Sequence, residues 1–176
     1  MISVRMFPLT RRMPLRVARL DIETRKVPVM GGYRMANGEV LRNRWSVIAI
    51  GIAVGGKGVM IWSSCDDEVE ILYEAAEWLL TVKEIQYYAT RQFDEMVLKG
   101  RFTNARRAHA AEPFYPVMPK ADILNWTQLP RLDYRAERPG DLLSKDVPAA
   151  WQRGEREKVL SHLKLDVVEL SEMWEV

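Results

Sequence analysis

Cysteine is almost missing from this chain: Cys65 is the only one among 176 residues. That excludes a disulfide framework and a cysteine-built zinc cluster, and it fits a reducing compartment. Long apolar runs are missing as well. The longest, from Val47 to Val54, is far too short to cross a bilayer, so no membrane association is expected. There is no internal repeat and no low-complexity segment. Residues 1–20 are Arg-rich without acids, as in a transit peptide, yet an apolar strand starting by Leu15 leaves too little room for a removable presequence. What is present is ordinary: 48% hydrophobic and 28% charged residues belong to a globular protein. Length favours a single domain over residues 1–176, and a cytoplasmic location is expected.

A net charge of +2 hides an asymmetry. Residues 1–45 hold ten Lys/Arg against three acids, a charge of +7; residues 46–176 hold sixteen against twenty-one, a charge of −5. A basic front part suggests an anionic partner such as nucleic acid. Much of this charge falls in residues 25–43 and just after. There Pro28, Gly31, Gly32, Asn37, Gly38 and Asn43 mark a loop or long hairpin bearing Arg25, Lys26, Arg34, Arg42 and Arg44.

The hydrophobic pattern predicts an α/β order. Residues 1–13 read as a short irregular or edge segment. Leu15, Val17, Leu20 and Ile22 form a strand, Trp45 to Val54 a strand buried on both faces, and Val59 to Ser63 a third, so these three make a meander. Asp66 to Leu80 is a helix, Ile85 to Thr90 a fourth strand, Phe93 to Ala108 a helix, Ile123 to Trp126 a fifth strand, and Arg153 to Trp174 the closing helix. Residues 127–150 are irregular or contain short helices. Helices then pack on a five-stranded mixed sheet.

Four carboxylates stand out. Asp21 and Glu23 alternate along the first strand and so share a face. Side by side they repel unless a cation lies between them, and a divalent ion with oxygen ligands is the natural candidate; a solvated strand end is the alternative. Asp94 follows Phe93 where a strand's carboxyl end meets the next helix, the place where ligands gather in open α/β sheets. The same position suits an ordinary helix-start acid. Asp66, Asp67, Glu68 and Glu70 cluster in the first turns of their helix, where the macrodipole favours acids, and they read as a helix terminus. In the last helix, Val159, Leu163, Asp166, Val167 and Leu170 follow a core-facing stripe, which puts Asp166 where an apolar residue belongs. A buried carboxylate there calls for a cation or hydrogen-bond donors. His162 stands one turn earlier on the same side, in reach for proton transfer.

In combination these residues resemble the DEDD superfamily of 3′–5′ exonucleases, of the ribonuclease H-like fold. The superfamily's first motif, an Asp-x-Glu in a hydrophobic strand, is similar to Leu20-Asp21-Ile22-Glu23-Thr24. Its second, an aromatic-Asp pair opening a helix, is matched by Phe93-Asp94-Glu95-Met96, in a form similar to the proofreading domains of family B DNA polymerases. Its third places the last Asp in a helix, as in His162-Leu163-Lys164-Leu165-Asp166, here with a histidine at the spacing usual for tyrosine. Thr90 stands where the second motif commonly carries Asn. Asp122-Ile123-Leu124 looks like the fifth-strand segment, and the likeness covers residues 15–174.

The resemblance implies two divalent ions, Mg2+ or Mn2+, roughly 3.5–4 Å apart. It implies that Asp21 bridges both, that Glu23 and Asp166 complete one site and that Asp94 supports the other. His162 would deprotonate the attacking water or orient it, and Thr24 and Phe93 would contact the terminal nucleotide. The implied substrate is single-stranded or 3′-terminal nucleic acid, released as nucleoside 5′-monophosphates, with a polymerase served in trans as a further partner. A nucleic-acid-binding module of the same fold without turnover is the alternative.

Overall fold

The computed structural model describes residues 2–8, 16–25, 46–55, 57–65, 68–87, 93–108, 124–129 and 140–172. Its strands are β1 (Ile2–Phe7), β2 (Val17–Thr24), β3 (Val47–Val54), β4 (Gly58–Ser64), β5 (Glu84–Tyr87) and β6 (Trp126–Gln128). Its helices are α1 (Val69–Leu79), α2 (Phe93–Ala108), α3 (Val147–Gln152) and α4 (Arg156–Glu172).

The six strands form one open sheet in the order β1-β4-β3-β2-β5-β6. β2, β3 and β4 are the expected antiparallel meander, while β5 runs parallel to β2 and β6 parallel to β5, so the sheet is mixed. The expected count of five strands is corrected to six. The added strand is β1, antiparallel to β4 at the edge, within the segment read as irregular or edge. The last expected strand, Ile123 to Trp126, shifts to Trp126–Gln128; the fourth is observed as Glu84–Tyr87, and residues 88–90 lie outside the described set. The basic loop lies there too, apart from Arg25, whose Nη2 donates to the Cys65 carbonyl at 2.9 Å.

Each face of the sheet has its own core. On one face Ala18, Leu20 and Ile22 of β2 pack with α1 and α2. On the other, Ala49, Ala53 and Ile61 pack with Val159, Leu163 and Val167 of α4 and with Val147 and Trp151 of α3. β3, Val-Ile-Ala-Ile-Gly-Ile-Ala-Val, is buried along its whole length because it feeds both cores. The β2–β3 register slips between Glu23 and Thr24: Glu23 faces Ala49 but Thr24 faces Val47, leaving Ile48 as the extra residue of a bulge. α3 begins with Pro148 in its first turn and ends before Gly154, whose φ of +79° suits glycine, so the chain can turn and start α4 afresh. α4 then crosses β2, β3 and β4.

Candidate metal centre

The odd-numbered residues of β2 face α4. Asp21 stands opposite Gly51 in the β2–β3 register, and Glu23 opposite Ala49. Glu23 is 7% exposed and Asp21 is half-buried. The bulge falls immediately after Glu23 and bends the ladder where that side chain is aimed. Gly51 sets how near α4 can come. A Cβ on residue 51 would lie 2.7 Å from Cγ2 of Val167 and 3.1 Å from Cγ of Leu163. Only a residue with no side chain lets the helix settle at this depth.

α4 brings His162 and Asp166 to the same place. They are one helical turn apart on one face, as their spacing predicts, and both are buried. His162 Nε2 lies 3.5 Å from Asp166 Oδ2 and 3.7 Å from Glu23 Oε1. One donor atom from each of Glu23, His162 and Asp166 falls within 4.8 Å of the others. The buried Nε2 has no hydrogen-bond partner. An imidazole nitrogen and two carboxylate oxygens, all deprotonated, form a donor set suited to a cation.

The other ring nitrogen is held by a residue that the sequence pattern did not single out. His162 Nδ1 lies 3.1 Å from Asp141 Oδ2. Asp141 Oδ1 in turn accepts from the Leu142 amide at 2.8 Å, and Leu142 packs against the second core. A carboxylate accepts a hydrogen, so Nδ1 is the donor in this pair and the ring is held with Nε2 toward Glu23 and Asp166. Asp141 follows Gly140, a turn glycine with φ of +85°, twenty-one residues before His162. No periodicity links the two positions; Gly140 is the only local signal there.

The chain matches no protein-family model, no curated protein and no solved structure.

Asp21 and Asp94 are outside the three-residue group. Asp94 is 3% exposed in the first turn of α2. It is near enough to Tyr87 to affect its hydroxyl: burial raises the Tyr87 pKa most, the hydrogen bond to Glu95 adds to that, and the Asp94 charge adds least. Thr24 is buried at the end of β2, and Phe93 is half-buried against the first core. Thr90 and Asp122 lie outside the described residues. Glu68, read as a helix-start acid, is a structural group: its carboxylate accepts from the Val47 amide at 2.6 Å and pairs with Arg101 of α2. Among the described residues no helix is long and apolar enough to cross a membrane.

Proposed function

We propose that the protein is a divalent-metal-dependent 3′–5′ exonuclease that releases nucleoside 5′-monophosphates from nucleic acid. The observation that carries this reading is the meeting of Glu23, His162 and Asp166 in one buried cluster around a histidine nitrogen without a hydrogen bond. The meander followed by two parallel strands, with helices on both faces, supports a ribonuclease H-like assignment.

In this reading Glu23 and Asp166 hold the first cation. Asp21, on the same strand face as Glu23, and Asp94, in the first turn of α2, serve the second. Bound Mg2+ or Mn2+ supplies charge neutralisation at the phosphate and a nucleophile at neutral pH. The chain's own residues do the rest. The carboxylates fix where the scissile phosphate can sit, and the cover of α4 keeps bulk water from the buried side of the site. Water attacks phosphorus, the P–O3′ bond breaks, and the leaving 3′ oxygen takes up a proton. Thr24 and Phe93 are the candidates for contacting the terminal nucleotide, and the front-part arginines for the backbone beyond it.

A 5′-labelled oligonucleotide, single-stranded or 3′-recessed, incubated with Mg2+ or Mn2+ should give a ladder shortening from the 3′ end. Asp21→Ala and Asp166→Ala should each abolish it. Cleavage that survives both substitutions would overturn the assignment. Salt-sensitive binding with no cleavage under either metal would instead mark a binding module.

A further inference from the structure

His162 has two chemically distinct roles open to it: taking a proton from the attacking water, or binding the cation itself. We propose that His162 Nε2 is a direct metal ligand. Glu23, His162 and Asp166 then form a mixed nitrogen–oxygen site for a first-row transition ion, with Asp141 as its positioning residue. This role presupposes the metal site of the proposed function but not phosphodiester cleavage.

Four observations converge. First, Nε2 points between the two carboxylates and not past them: it is 3.5 Å from Asp166 Oδ2 and 3.7 Å from Glu23 Oε1. Ligands sharing an ion at about 2.1 Å stand about 3.0 Å apart at right angles and about 3.4 Å apart at tetrahedral angles. The two separations from Nε2 need only a slight closure to reach that range, and all three donor atoms lie within 4.8 Å of one another. Second, His162 is 3% exposed, so Nε2 looks into the carboxylate cluster and not toward bulk water from which a base would take a proton. Third, Nε2 makes no hydrogen bond although it is buried, and a cation would satisfy it. Fourth, Nδ1 is engaged by Asp141 at 3.1 Å. A carboxylate on the far nitrogen is the arrangement that fixes the tautomer of a metal-bound histidine and raises its basicity.

The donor set carries the selectivity. Carboxylates alone suit Mg2+, whereas one imidazole nitrogen favours ions such as Fe2+, Co2+, Ni2+ and Zn2+. A site of two carboxylates and one imidazole therefore prefers these ions over Mg2+, and the preference resides in His162.

Isothermal titration of the full chain with Mg2+, Co2+ and Zn2+, each alone, tests this. Wild type should bind Co2+ and Zn2+ at least about 100-fold more tightly than Mg2+. His162→Ala should remove most of that preference while leaving Mg2+ affinity within about tenfold. Asp141→Ala should lower Co2+ affinity by about 10–100-fold, and Asp141→Asn, which keeps an acceptor oxygen, should recover part of the loss. Unchanged Co2+ and Zn2+ affinity in His162→Ala, or equal loss for all three ions, overturns the proposal. A measurement on the unmutated protein guards against variants that fail to fold. The chain has two histidines, His109 and His162. Nitrogen-15 NMR should show Nε2 of one imidazole shifting on Zn2+ saturation, with His109→Gln identifying which. A His162 ring that does not respond at saturating Zn2+ overturns the proposal. Zn2+ bound through His162 with no cleavage of any oligonucleotide sinks the exonuclease reading alone. Cleavage in Mg2+ by a chain whose His162 ring ignores Zn2+ sinks only the ligand assignment.

Discussion

Glu68 shows how much can rest on one side chain. Its carboxylate takes the amide hydrogen of Val47, the first residue of β3, and pairs with Arg101 of α2, so one residue before α1 ties a strand to two helices. Removing it takes this acceptor from the buried Val47 amide and this carboxylate from the largely buried Arg101 guanidinium. Breaking a buried pair from one side costs about 3–5 kcal/mol, much of it the penalty on the partner left behind. Glu68→Ala should lower the unfolding free energy by about that amount in urea denaturation. A double variant with Arg101→Met should lose less than Glu68→Ala alone. Asp141 is the second residue whose role is larger than its local context suggests. Its neighbours form an ordinary turn, and its importance comes from a histidine twenty-one residues away.

At the scale of elements, α4 is the piece on which the site depends, since it supplies two of the three clustered donors. It is anchored at the sheet edge as well as over the core. Arg5 of β1 makes a bidentate pair with Glu157, at 2.7 and 2.5 Å, and Lys164 Nζ lies 4.1 Å from the Phe7 ring. The Arg5–Glu157 pair is exposed, so its contribution is small and salt-sensitive. The hydrogen bond from Arg5 holds the Glu157 carboxyl below its ordinary value of 4.5. A lowered carboxyl pKa adds stability above the unfolded value and loses it as pH falls through the folded one. Arg5→Ala should therefore give a slightly lower denaturation midpoint at neutral pH. That difference should shrink in high salt and vanish as pH is taken well below 4.5.

Which elements were legible follows from what made them. β3 and α2 could be read because their signals are local: an unbroken apolar run rich in Val and Ile in one, and an aromatic-Asp start with a polar, Arg-rich end in the other. The face shared by Glu23 and Asp21, and the turn shared by His162 and Asp166, follow from strand and helix periods alone. β1 could not be read. Its apolar Val4 and Met6 are exposed, while Arg5 and Phe7 are half-buried, the reverse of the usual alternation; pairing with β4 decides that it is a strand. The bulge at Ile48 and the grip of Asp141 on His162 are tertiary facts with no sequence period. So is the difference between Glu68, which became a structural tie, and Glu23, which joined the buried cluster with His162 and Asp166.

At the scale of the whole molecule, the sheet is a partition between two cores, and the Glu23–His162–Asp166 cluster lies on the α4 side of it. Val167 and Leu163 press on Gly51 from the α4 side, so Gly51→Ala should push the helix outward and cost about 1–3 kcal/mol. Co2+ affinity should fall with it, since Glu23 stays on the sheet while His162 and Asp166 move with the helix. Val167→Ala in the same chain should restore part of both, because it removes the methyl group nearest the new Cβ.

Gly51 has a consequence for ion size as well. With no side chain on the strand, Leu163 and Val167 act as shims between sheet and helix, and their thickness sets the jaw opening between Glu23 and the two α4 donors. For a cation held there as proposed, the preferred ionic radius would then be set from a position outside the donor set. A thinner shim, Val167→Ala, should move the ratio of Zn2+ to Cd2+ affinity toward the smaller ion, and a thicker one, Val167→Ile, toward the larger.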